Sequence, residues 1–253
     1  MSLPTGKQFD IDTCGYIKDL TLETSKETMQ NIGLTIQEIE LAKDYLKKKS
    51  ANPSYKIIQD FKGSPREKEE LKNKFFTITE KLQIWNDPQK IEDKPEIIQG
   101  VMKNLKIKVS RELNSKVEYF TVTSTGFTPI DDLGVDCYFK IGEMKILIDV
   151  KSSEEAKQIS EGKITDADLI LYEPKIFGTF KTEEERLNRL KNTMIDQWSN
   201  EVIKVFEFKI KELREKDRRE SLTQMLSERL SEEERREQRM KRARVGGQIT
   251  KFK

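Results

Sequence analysis

The stretch from Gly134 to Ser153, GVDCYFKIGEMKILIDVKSS, constrains the fold more than any other, because two largely apolar runs flank one glycine-containing turn. Gly142 and Glu143 suit a two-residue turn of type II′, in which glycine takes the first central position. A turn of fixed length also fixes the register, since a slip of one residue would move every side chain to the opposite face. The stretch therefore predicts a β-hairpin.

The predicted register alternates apolar pairs with pairs that include the charged residues. From the turn outward, the pairs are Ile141–Met144, Lys140–Lys145, Phe139–Ile146, Tyr138–Leu147, Cys137–Ile148 and Asp136–Asp149. In the last pair two carboxylates would oppose each other with Cβ atoms ~5 Å apart, which destabilises a sheet unless a cation lies between them. Lys151 lies two residues beyond Asp149 and projects from the same face. The three residues predict a metal site, although they would also suit an ordinary ion cluster at the surface.

The chain contains no histidine among its 253 residues, which removes the commonest general base and metal ligand. Ser-His-Asp and Cys-His catalysis are excluded, as are zinc sites with histidine ligands. Any bound metal would be held by oxygen atoms, which indicates Mg²⁺ or Mn²⁺. The net charge of +2 gives no overall basic field, so contacts to nucleic acid would come from local patches.

Helix signals lie on both sides of the hairpin. Thr35 and Ser64 are each followed three residues later by glutamate, the capping-box pattern of a helix start, and Pro95 opens a third helix. Residues 1–15 are expected to form a loose start. Residues in KVEYFTVTS and ADLILYEPK are of types that favour strands. The order of elements predicts an α+β fold of α/β/α type, with a small mixed sheet of about four strands flanked by helices.

We predict three regions: an N-terminal helical region (1–94), a catalytic core (95–180) and a C-terminal helical extension (181–253). Apolar residues at helical spacing from about Thr182 predict a long C-terminal helix that packs on the core or contacts a partner. Its charged tail contains RMKRAR, which suits a solvated helix, a phosphate contact or a targeting signal. No segment approaches the ~20 apolar residues of a membrane span. Two cysteines without framework spacing favour an intracellular, cytoplasmic location.

Asp136, followed by Asp149-Val150-Lys151 at the end of an apolar strand, resembles the PD-(D/E)xK nuclease superfamily over roughly residues 95 to 180. Within it, DCYFKIGEMKILID is similar to the hairpin of cap-snatching endonuclease domains in the polymerases of segmented negative-strand RNA viruses. Those domains share an aromatic residue two positions after the first aspartate and a glycine in the turn.

The chain departs from the family pattern in two respects. Val135 stands where the family usually has proline, and many members use a histidine ligand that this chain lacks. A histidine-free branch, similar to the arenavirus enzymes, uses a glutamate on an upstream helix instead. The resemblance implies that Glu112 takes that place here, with Glu118 and Asp132 as rivals.

The resemblance implies a set of roles for a metal-dependent endonuclease. Asp136 and Asp149 would hold one or two Mg²⁺ or Mn²⁺ ions, with Glu112 and the Val150 carbonyl as further ligands. Lys151 would orient the nucleophile or neutralise the transition state. The lysines expected to contact the nucleic-acid backbone are Lys140, Lys145 and Lys163.

The expected substrate is RNA, cleaved in the cap-snatching manner that supplies primers for viral transcription, with attachment to a larger polymerase. A DNA endonuclease of restriction or repair type fits the Asp-Val-Lys sequence equally well. A third reading is a non-catalytic helical interaction protein that retains a degenerate nuclease core.

Overall fold

The computed structural model describes residues 5–113, 115–124, 126–161 and 165–249. Over these residues the chain forms seven α-helices, one short 3₁₀ helix and four strands. In chain order they are α1 (Thr5–Cys14), α2 (Lys26–Asn31), α3 (Ile36–Ala51), α4 (Pro65–Lys81), α5 (Glu96–Glu112), β1 (Val117–Thr121), the 3₁₀ helix (Asp131–Leu133), β2 (Cys137–Ile141), β3 (Met144–Lys151), α6 (Glu154–Glu161), β4 (Leu169–Tyr172) and α7 (Glu183–Ile249). The expectation of a loose start at residues 1–15 is wrong, because α1 occupies most of that segment.

Two predicted helix starts are confirmed by their hydrogen bonds. The Glu38 amide donates to Thr35 Oγ1 at 3.3 Å, and the Thr35 amide donates to the Glu38 carboxylate at 2.7 Å. Ser64 and Glu67 form the same reciprocal pair at the start of α4, with Pro65 in its first turn. Each box satisfies backbone N–H groups that have no partner inside the helix, so α3 and α4 begin where the sequence indicates.

The four strands form one mixed sheet in the order β1-β2-β3-β4. β1 and β2 are antiparallel, as are β2 and β3, whereas β3 and β4 are parallel. A parallel pair needs a crossover connection, and α6 lies in that connection. The predicted fold class is confirmed: an α+β fold with a small mixed sheet and a long C-terminal helix.

Both faces of the sheet are buried. Tyr138 and Phe139 are neighbours on β2 and point to opposite faces, yet they are only 0% and 1% exposed. The Tyr138 ring meets the edge of Phe76 from α4, with centroids 5.1 Å apart. Trp198 of α7 is buried, and its indole N–H donates to the Tyr172 carbonyl at the end of β4 at 3.0 Å.

The division into three regions stays a prediction, beside which the structure shows two compact units. These units are Met1–Val205 and Phe206–Lys253. The regions 1–94 and 95–180 share one hydrophobic cluster, in which Tyr45 of α3 packs edge-on against Phe127 with ring centroids 5.5 Å apart. The predicted boundary at residue 181 lies just before α7, which begins at Glu183 inside the first unit. In the described part of the chain, no helix has both the length and the apolar character needed to cross a bilayer.

Candidate metal and catalytic site

The hairpin has the predicted register except at its open end. All five predicted pairs from the turn to Cys137↔Ile148 are present, and Gly142 has a φ of +60°, as a primed turn requires. Beyond Cys137 the pattern changes, because the Asp136 amide donates to the Ile148 carbonyl at 2.8 Å. Asp136 therefore does not continue the ladder opposite Asp149, and the predicted direct opposition of the two aspartates is wrong.

The Asp136 carboxylate turns instead toward the main chain of β3. Its Oδ2 accepts a hydrogen bond from the Val150 amide at 2.7 Å, and the residue is only 6% exposed. The Asp136 carbonyl accepts from the Val122 amide at 2.9 Å, so hydrogen bonds fix both the side chain and the backbone of this residue. Because the N–H and C=O of a strand residue point to the same side, the Val150 carbonyl also faces the Asp136 side of β3.

Asp149 and Lys151 form the second part of the site. Asp149 is 3% exposed, and Lys151 Nζ donates to its Oδ1. Burial alone would lower the pKa of Lys151, but the hydrogen bond to Asp149 and the charges of Asp136, Asp149 and Asp10 raise it. Lys151 is therefore a cation at neutral pH. The predicted grouping of Asp136, Asp149 and Lys151 is present, through a hydrogen-bond pattern different from the expected one.

A third carboxylate, Asp10, comes from α1, which packs against β3 and α5. Burial raises the pKa of Asp136 well above its ordinary value, and the charges of Asp10, Asp131 and Asp149 raise it further, against the hydrogen bond from Val150. Sequence reasoning missed Asp10 because it treated residues 1–15 as irregular. The available signal was the spacing of four residues between Asp10 and Cys14, which places both on one helix face.

Glu112, predicted to complete the site, is not brought to it. Its carboxylate lies 3.6 Å from Lys108 Nζ, one turn earlier in α5. The next strand begins at Val117, which pairs with Ile141 beside the hairpin turn. The chain therefore leaves α5 at the turn end of the sheet, whereas Asp136 lies at the other end.

The two rivals of Glu112 also have other roles. Glu118 pairs in register with Lys140, toward the turn. Asp132 accepts hydrogen bonds from Lys49 Nζ at 3.0 and 2.9 Å and from the Tyr45 hydroxyl at 3.1 Å. Its neighbour Asp131, which the sequence did not single out, is the loop carboxylate whose charge acts on Asp136.

The lysines predicted to contact nucleic acid are engaged within the fold where they are described. Lys140 Nζ lies 3.1 Å from the Glu80 carboxylate of α4. Lys145 Nζ lies over the Phe76 ring, 4.4 Å from its centroid, and burial lowers the pKa of Lys145. Lys163 lies outside the described residues. The structure therefore gives Lys140 and Lys145 contacts to α4, which does not support a phosphate-binding role.

The residues at the open end of the hairpin suit a hard divalent cation in donor type but do not form a preformed cage. Carboxylate oxygens are the ligands that Mg²⁺ and Mn²⁺ prefer. The raised pKa of Asp136 means that a negative charge on its carboxyl group is unfavourable at this position. A cation bound nearby would offset that cost. Among the described residues, however, no three Cys, Asp or Glu side chains are arranged to hold a metal ion. Lys151 instead donates to one oxygen of Asp149.

The raised pKa of Asp136 predicts a pH dependence of stability. Without metal, the folded state holds this proton more tightly than the unfolded chain does. The resulting stabilisation is complete below the unfolded-state pKa and is lost as the pH rises through the higher folded-state pKa. Asp136→Asn cannot ionise at this position. We therefore expect its urea midpoint of unfolding to fall less than that of the wild-type protein as the pH rises over that range. Urea unfolding at a series of pH values without divalent metal measures this, and equal slopes for the two proteins would contradict it.

Comparison with protein-family models, curated proteins and solved structures found no match to this chain. Function must therefore be inferred from the side chains at the open end of the hairpin.

Proposed function

We propose that this chain is a divalent-metal-dependent endonuclease that hydrolyses phosphodiester bonds, with RNA as the favoured substrate. The observation that carries the proposal is the convergence of Asp136 and Asp149, 6% and 3% exposed, with Lys151 at the open end of the hairpin. Burial of two carboxylates beside one ammonium is costly unless further positive charge is supplied. Asp10 and Asp131 add to this negative charge, and a divalent cation would offset it.

The proposal assigns a role to each of these residues, although their side chains would have to rearrange around the metal because they do not form a preformed group of ligands. Asp136, Asp149 and Asp10 would hold Mg²⁺ or Mn²⁺, with the Val150 carbonyl as a further ligand, so Asp10 takes the place assigned to Glu112 from the sequence. The chemistry that such a cation would supply, when held by these residues, is activation of water and neutralisation of charge on the phosphate. Lys151, kept protonated by the carboxylates around it, would orient the nucleophile and stabilise the negative charge that develops in the transition state.

The wider setting is also a proposal and rests on the resemblance of the hairpin to cap-snatching domains. It comprises RNA cleavage that supplies primers, attachment to a larger polymerase and a cytoplasmic location. The free thiols of Cys14 and Cys137 are consistent with a reducing compartment. A contact of α7 with a partner also stays part of the proposal; Phe208 and Leu222 on this helix are 61% and 50% exposed.

One observation favours a non-catalytic protein as the second candidate. Lys151 donates to Asp149, and the described residues include no preformed cage of three ligands. A degenerate nuclease core in which the lysine has replaced the cation would look the same. The two candidates differ in their response to Mn²⁺, because a ligand that binds only the folded state raises its stability.

Lys151→Met tests the proposed chemistry directly. We expect RNA cleavage in Mn²⁺ to fall about 100-fold or more, because the substitution removes the positive charge beside the phosphate and keeps a side chain of similar length. Lys145→Met, on the same strand but packed on Phe76, is the matched control and should cleave at a rate near that of wild type. Undiminished cleavage by Lys151→Met would contradict the catalytic role assigned to Lys151. Competition between RNA and DNA of one sequence, in the same assay, identifies the preferred substrate.

A further inference from the structure

A half-buried polar network lies behind the loop that leads to Asp136. Its centre is Asp132, whose two carboxylate oxygens accept from Lys49 Nζ at 3.0 and 2.9 Å. The Tyr45 hydroxyl also donates to Asp132, at 3.1 Å. Both side chains of the ion pair are largely enclosed, 22% exposed for Lys49 and 15% for Asp132. Enclosure of this kind makes an ion pair stronger and its breakage more costly than at an open surface.

The network holds the backbone of the loop as well as the Asp132 side chain. Gln59 Nε2 donates to the Asp132 carbonyl at 3.1 Å. The Tyr45 hydroxyl lies 2.9 Å from Thr128 Oγ1, and the Thr128 carbonyl accepts from the Asp132 amide at 2.9 Å. Lys49 Nζ is itself fixed by a further bond to the Tyr55 carbonyl at 3.1 Å. Residues 128 to 132 are thus tied to the segment around α3.

The end of the loop is held from the other side. Thr165 Oγ1 donates to the carbonyls of Leu133 and Gly134 at 3.1 and 3.0 Å, just before the start of β4. Gly134 has a φ of +74°, and a Cβ atom there would lie 2.7 Å from Thr165 Oγ1. Only glycine fits this conformation and this approach without strain. The path from Asp131 to Asp136 is therefore fixed at both ends.

We propose that Lys49 and Asp132 are positioning residues for the metal site: the ion pair anchors the loop that delivers Asp136 to the open end of the hairpin, where Asp149 lies, for the incoming cation. This inference rests on the proposed function. Asp132 reaches no residue of the site directly, but it is the neighbour of Asp131 and shares its 3₁₀ helix. Supporting residues that orient metal ligands typically change metal affinity by about 10- to 100-fold when they are removed.

The test measures binding of Mn²⁺ alone, by isothermal titration calorimetry, at a temperature at which circular dichroism shows every variant folded. We expect Lys49→Met to weaken Mn²⁺ binding about 10-fold, because it removes the charge that holds the loop and keeps most of the packing. Lys49→Arg, which retains the charge, should bind closer to wild type. If Lys49→Met does not fold, Asp132→Asn, which keeps the shape of the side chain, carries the same expectation.

Lys81→Met provides the matched control. Lys81 forms an ion pair of similar burial with Glu38, at 2.7 Å, between α4 and the start of α3. It should lose stability in the same way as Lys49→Met but bind Mn²⁺ as wild type does. Wild-type affinity in Lys49→Met, or an equal loss in Lys81→Met, overturns the positioning role alone. No Mn²⁺ binding by the wild-type protein overturns the proposed function and the positioning role together.

Discussion

Asp149→Asn is expected to abolish the rise in melting temperature that the proposed metal site predicts for the wild-type protein in Mn²⁺, and to reduce RNA cleavage about 10³-fold. Asparagine has nearly the same shape, and it can still accept the hydrogen bond from Lys151. What it removes is one of the two most deeply buried carboxyl groups at the open end of the hairpin. A melting curve with and without Mn²⁺, together with single-turnover cleavage, measures both effects.

Two further carboxylates turn this experiment into a test of the ligand set. Asp10→Asn should weaken the response to Mn²⁺, because Asp10 is the carboxylate from α1 whose charge reaches Asp136. Glu112→Gln should leave the response unchanged, because Glu112 lies beside Lys108 at the far end of α5. The reverse order of effects would restore Glu112 as the third ligand. A full Mn²⁺ response in Asp149→Asn would exclude the site at this position.

Trp198→Ala is expected to have the largest effect on stability, lowering the free energy of unfolding by about 3–5 kcal/mol. Trp198 is 1% exposed, so its removal leaves a cavity that neighbouring side chains fill only in part. The Tyr172 carbonyl also loses the indole donor at 3.0 Å. Urea unfolding measures the change, and a unit of this size should melt about 2–4 °C lower for each kcal/mol lost.

Trp198→Phe separates packing from the hydrogen bond. Phenylalanine keeps most of the apolar contact but has no N–H, so a loss of about 1 kcal/mol is expected. A loss as large as that of Trp198→Ala would show that the hydrogen bond, and not the packing, dominates. Since Tyr172 pairs with Lys151 across the parallel strands, both variants should also be assayed for cleavage.

Local signals in the sequence predicted much of the fold correctly. The capping boxes at Thr35 and Ser64 involve groups three residues apart, so the sequence contains the whole interaction. The hairpin register likewise depends on the length of one turn and on an alternation of period two. Where the cause of a structure lies within a few residues, the chain can be interpreted without its tertiary contacts.

The failures concern contacts between distant segments. The spacing of Asp10 and Cys14 places both on one face of a helix, but it does not bring that face to Asp136, because their proximity depends on the packing of α1 against β3 and α5. The sequence predicts a contact of Lys140 with the nucleic-acid backbone, whereas in the structure Lys140 Nζ lies 3.1 Å from the carboxylate of Glu80 on α4. Asp136 departs from the ladder, and its carboxylate accepts a hydrogen bond from the Val150 amide. The predicted register gives only the residues that face each other, so it could not show this bond.

The two-residue turn at Gly142 has a consequence for the order in which the site assembles. Loop closure is least costly where the contacting residues are close in sequence, so the hairpin should zip from Ile141–Met144 outward. Asp136 and Asp149 come together last, against the repulsion of their charges, and the β3–β4 pair follows only after the longer crossover closes. In the folded protein this end is buried, with Asp136 and Asp149 only 6% and 3% exposed, so its amides should exchange more slowly than those at the exposed turn, and more slowly still when Mn²⁺ is added.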